Sequence, residues 1–158
     1  MVLTADGRVV SPISFLVRQP EPHLRSWQAQ RAMRTHGIAV EQILREGLDP
    51  RQAAPRLALW IQRVQERFGV REARAYNQGF DFWFLEQDPW RLFERTGLTK
   101  GEDIQVTARR GMNVARGPRL SAAVAFAQAA GGELGWSARA HRAAEDARMA
   151  ACVALHFE

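Results

Sequence analysis

The 158-residue sequence holds one cysteine, Cys152, which excludes an intrachain disulfide and any zinc site built on cysteine. Lysine and tyrosine also occur once each, as Lys100 and Tyr76. No apolar run approaches the roughly 20 residues of a membrane-spanning helix, so no membrane partner is expected. The first ten residues include Asp6 and Arg8 and do not read as a secretory signal. A single thiol fits a reducing compartment, and the expected location is cytoplasmic. Internal repeats and low-complexity segments are lacking as well.

What is present describes one globular domain. Hydrophobic residues make up 46% of the chain and charged residues 25%, enough to bury a core. The formal net charge is +5, and with Lys100 as the sole lysine, 21 of the 22 basic residues are arginine. A basic surface attracts polyanions, and the planar guanidinium suits phosphate. The same bias also follows from base composition in an alanine-rich coding sequence, so charge by itself does not choose a partner.

The hydropathy pattern predicts a mixed α/β layer fold. Ala5-Asp6-Gly7 is a turn signal before a strand over Arg8 to Val17, which suggests a hairpin with a short first arm. Ser11-Pro12 inside that strand implies an edge or a bulge. Leu24 to Thr35 is partly helical, and Ala39 to Glu46 forms a short helix closed by Gly47. Asp49-Pro50 opens the clearest helix. Its apolar residues Ala53, Leu57, Trp60, Ile61, Val64 and Phe68 make a 3.6-residue stripe that ends at Gly69. Glu72 to Tyr76 is a short strand. Helices follow over Phe82 to Gln87, Trp90 to Thr96, Leu120 to Ala130 and Ala143 to His156. Gly97 to Asp103 is read as a loop, and Ile104 to Arg110 as helical or extended.

Three segments carry residue types suited to chemistry. In Asn77-Gln78-Gly79-Phe80-Asp81 a strand delivers a turn that glycine permits. Phe80 is expected to anchor that turn in the core while Asp81 faces a cleft; alternatively Asp81 only caps the next helix. In His141 to Asp146 a histidine and a carboxylate lie five residues apart, about 140° around an ideal helix. They converge on one site only with His141 at the helix edge; otherwise both are solvated surface groups, as Glu145 is taken to be. His36, in Thr35-His36-Gly37-Ile38, either hydrogen-bonds backbone in a turn or lines the rim of a site. Trp27, Trp83, Trp90 and Trp136 are able to stack on bases, although core positions are expected for most of them.

Taken in order, these segments resemble the DEDDh-type 3′–5′ exonuclease superfamily, that of the DnaQ-like proofreading subunits and of RNase T, with its RNase H-like fold. Asp6 to Val10 followed by Phe15-Leu16-Val17 looks like the strand after that family's Asp-Gly turn. His36-Gly37-Ile38 looks like its His-Gly-Ile element, Asn77 to Asp81 its second motif, and His141 to Asp146 its third. The resemblance implies an RNase H-like mixed sheet flanked by helices. It also implies hydrolysis of 3′ ends of single-stranded DNA or RNA with a pair of Mg²⁺ or Mn²⁺ ions. On this resemblance Asp81 and Asp146 would be metal ligands and His141 the general base. His36, Asn77 and Phe80 would support or contact the substrate. Homodimers are common in the family.

The family's first motif, Asp-x-Glu on the central strand, has no counterpart here: only five residues precede Asp6, none of them acidic. Two carboxylates are a poor complement for two dications, so the chain as written is expected to bind metal weakly and cleave little. Without that central strand, unpaired backbone groups would cost roughly 1–3 kcal/mol each, against a stability of about 5–15 kcal/mol. The expectation is therefore an N-terminally incomplete domain whose natural polypeptide begins upstream of Met1. The alternative is a degenerate nuclease fold that grips nucleic acid without cutting it.

Overall fold

A computed structural model of the chain describes residues 2–3, 9–10, 13–131 and 143–157. The expected hairpin is present. β1 (Val2–Leu3) pairs antiparallel with β2 (Val9–Val10), with Val2 opposite Val10 and Leu3 opposite Val9. The strand expected to continue to Val17 does not; instead Val17 makes an isolated parallel bridge to Leu48. The Leu48 amide donates to the Leu16 carbonyl and the Arg18 amide to the Leu48 carbonyl, both at 2.8 Å.

Two short helices, α1 (Glu21–Leu24) and α2 (Trp27–His36), come next. Ser26 caps α2, its hydroxyl accepting from the Ala29 amide at 3.3 Å, and Gly37 closes it at φ 69°. α3 (Val40–Glu46) leads into the longest helix, α4 (Pro50–Phe68). Both ends of α4 follow the sequence signals: the Asp49 carboxylate accepts from the Arg51 amide at 2.8 Å, and Gly69 ends the helix at φ 67°. Its buried residues are Ala53, Ala54, Ala58, Ile61 and Val64.

β3 (Glu72–Ala73) runs parallel to β4 (Thr99–Lys100), a strand inside the segment expected to be loop. Between them lie α5 (Gln78–Glu86) and α6 (Leu92–Thr96). The chain ends in α7 (Ile104–Gly111), α8 (Leu120–Ala129) and α9 (Ala143–Phe157).

The fold is thus mostly helical with a small parallel sheet, within the mixed α/β class. In place of the expected broad sheet, the described residues form two separate two-stranded sheets. Each named strand is two residues long, so each pair presents few ladder bonds and little apolar face, and helices supply the core. Ile104, Ala108, Ala123, Val124, Met149 and Val153 fill the space between α7, α8 and α9. A second cluster joins Ala53 and Ala54 of α4 to Trp90, and a third joins Ile61 to Leu92 and Leu98. No helix among the described residues is long and apolar enough to cross a membrane.

Candidate functional site

The parallel pair fixes the site. At the carboxyl end of β3 the Ala73 carbonyl accepts from the Gly101 amide at 2.9 Å, and the Ala75 carbonyl from the Ile104 amide at 3.1 Å. The starts of α5 and α7 are thereby brought side by side. In α/β sheets ligands bind outside the carboxyl ends of parallel strands, where helix starts face solvent.

One carboxylate joins the two helix starts. Asp103 caps α7, its Oδ1 accepting from the Gln105 amide at 2.8 Å. The same oxygen accepts from the Asn77 amide at 2.9 Å, and Oδ2 accepts from the Gln78 amide at 2.9 Å. Asn77 enters α5 at φ 58°, a left-handed conformation that asparagine tolerates, and provides no side-chain cap of its own. Asp103 belongs to none of the three segments whose residue types suggest chemistry. Its signal was an aspartate directly before the apolar Ile104, the position of an N-cap.

Asp81 lies in the first turn of α5 and is exposed. Partial desolvation first, and the nearby Asp103 charge second, hold its carboxyl above the usual aspartate pKa. The same two causes push the Tyr76 phenol up to about 12, and its hydroxyl donates to the Pro118 carbonyl at 2.8 Å. The Asp103 charge is thus felt at Asp81, while the oxygens of Asp103 already accept three amides.

Phe80 does not anchor a core turn: it is 70% exposed. The reason is helical register. α5 begins at Gln78, so Phe80 and Phe82, two residues apart in the helix, point some 200° apart, and the inward direction falls to Phe82. That ring is 5% exposed and meets Phe93 edge-on at a centroid distance of 5.0 Å. Trp83, one residue further on, is 59% exposed. Of the tryptophans expected in the core, Trp90 is there, whereas Trp27 and Trp83 lie on the surface. Trp136 lies outside the described residues.

The other expected site residues are placed separately. His36 is the last residue of α2, and its Nδ1 accepts from the Ile38 amide at 3.1 Å, the turn-forming alternative. Asp146 is half-buried in the first turn of α9, which packs on α7 and α8. His141 lies outside the described residues. The structure thus brings Asn77, Phe80 and Asp81 together with Asp103. Among the described residues, no group of three or more His, Cys, Asp or Glu side chains gathers to hold a metal ion. Comparisons of the chain with family models, with curated proteins and with solved structures return no match.

Proposed function

We propose that this chain is a 3′–5′ exonuclease-like protein of the RNase H-like type, directed at 3′ ends of single-stranded DNA or RNA. The observation that carries the proposal is Asp81 exposed at the carboxyl edge of the parallel pair, with the Asp103 charge beside it. Two neighbouring carboxylates attract a hard cation, and a cation there would relieve their repulsion. The donor set fits one loosely held, largely hydrated Mg²⁺ or Mn²⁺ better than a closed two-metal clamp, because Asp103 is engaged by three backbone amides. Asp81 would hold the ion and Asp103 would contribute field; Asp146, the second ligand that the resemblance implies, stands apart on α9. When bound, the cation supplies charge neutralisation at the phosphate and a more acidic bound water. The residues' own share is to position the strand end: Phe80, next to Asp81 in α5, and Trp83, three residues further on and so on the same helix face as Phe80, offer exposed rings on which terminal bases can stack. On the resemblance, His141 would take the proton from water.

The test is Mg²⁺- or Mn²⁺-dependent shortening of a 5′-labelled single strand from its 3′ end. Loss of that activity in Asp81→Asn supports the proposal; unchanged shortening in that variant overturns it. The two exposed aromatic rings also favour a second reading, a module that binds strand ends without cutting them. An intact labelled strand that nevertheless binds through Phe80 and Trp83 selects that reading.

A further inference from the structure

Helix α2 buries none of its residues and contains no acidic side chain. Trp27, Arg31 and Arg34 stand at i, i+4 and i+7, one face of the helix, over about 10 Å along its axis. Trp27 is 70% exposed, and the Arg31 guanidinium lies over its ring at 5.7 Å. With Gln30 these three line an open cleft of about 230 Å³. Neither Arg31 nor Arg34 forms an ion pair among the described residues, whereas the neighbouring Arg25 is bound to Glu21 at 2.5 Å. Holding an indole in water with cations beside it contributes nothing to packing.

We propose that this face of α2 is a contact surface for single-stranded nucleic acid, with Trp27 stacking on a base and Arg31 and Arg34 holding flanking phosphates. The proposal rests on the nucleic-acid reading of the chain but uses no residue of the Asp81 site. Charge complementarity and the indole together favour a strand over other occupants. A strand offers phosphates and π-faces at once, matching a cationic helix with an exposed aromatic ring. A lipid surface is the poorer fit, because Trp27 and Met33 are the only large apolar residues of this short helix.

The experiment is fluorescence anisotropy of a labelled oligothymidylate in chelator, so that no cleavage intervenes. Expected results are a roughly tenfold weaker affinity for Trp27→Ala, and near wild-type affinity for Trp27→Phe. In single strands each phosphate contact adds about 0.7 to the slope of log K against log salt. The slope should therefore fall by about 1.4 in the Arg31→Ala/Arg34→Ala double variant. Unchanged affinity and slope in these variants overturn the surface, as does binding to phosphatidylserine vesicles but not to the oligonucleotide. Comparing linear with circular strands separates the two claims. Loss of binding on Trp27→Ala with no preference for a free 3′ end keeps the surface and overturns 3′-end function. A 3′-end preference that survives in all three variants does the reverse.

Discussion

Replacing Asp103 with alanine tests the construction of the site most directly. Three backbone amides, those of Asn77, Gln78 and Gln105, lose their acceptor together. Loss of the α7 cap costs about 1 kcal/mol. The other two bonds run to a charged acceptor that is only half-buried, so water takes over part of the role and each is worth about 1 kcal/mol. The expected loss is about 3 kcal/mol, or about 9 °C in Tm for a chain of this size. Urea denaturation should show the midpoint falling with the slope m unchanged. A second readout is electrostatic. With the Asp103 charge gone, the Asp81 carboxyl should titrate at lower pH, while staying above its usual range because desolvation persists. NMR of the side-chain carboxyl carbon reports this. Asp103→Asn should cost less, since one oxygen remains for the Asn77 and Gln105 amides. A loss below about 1 kcal/mol in Asp103→Ala, with Asp81 titrating as before, would refute the shared-cap reasoning.

Asp81→Asn should change how stability depends on pH. A folded-state pKa above the unfolded value means that ionisation costs stability, so the penalty is absent in acid and grows as pH rises through the folded pKa. The variant should melt with wild type near pH ~3 and above it at neutral pH; the opposite ordering in thermal melts contradicts the placement of Asp81. Gly47→Ala should destabilise by about 2 kcal/mol or more, because the new Cβ would lie 2.3 Å from the Ile43 carbonyl oxygen and 2.8 Å from the Arg18 amide nitrogen. Both are backbone atoms beside the Val17–Leu48 bridge, and denaturant midpoints measure the effect. Phe82→Ala should cost about 3–5 kcal/mol, and Phe80→Ala about 0.5 kcal/mol or less. Equal losses in the two unfolding curves would reverse the assigned helical register.

The parts of the fold legible in the sequence are those fixed by neighbours in the chain. α4 shows its cap, its stripe and its terminal glycine within Asp49 to Gly69. α8 and α9 follow equally from apolar spacing. What escaped reading is settled from far away. Thr99–Lys100 is a strand only because Glu72–Ala73 lies beside it, and no local signal in two residues announces that. The start of α5 was placed late for the same reason. Its first amides are capped by Asp103, some 25 residues downstream, while the side chain of the N-cap residue Asn77 makes no cap bond. A helix start at Gln78 rather than Phe82 is what turns Phe80 outward. For the site, Asp81 was legible as an acid after a strand. The Asp103 charge beside it was not, since it depends on parallel pairing across α5 and α6.

Because one side chain bonds the first amides of both α5 and α7, the two helices share a common pin. Neither can swing away from the other without giving up hydrogen bonds to Asp103. Any tug on the first turn of α5, where Asp81 sits, is therefore passed to α7 and on to the bundle it forms with α8 and α9.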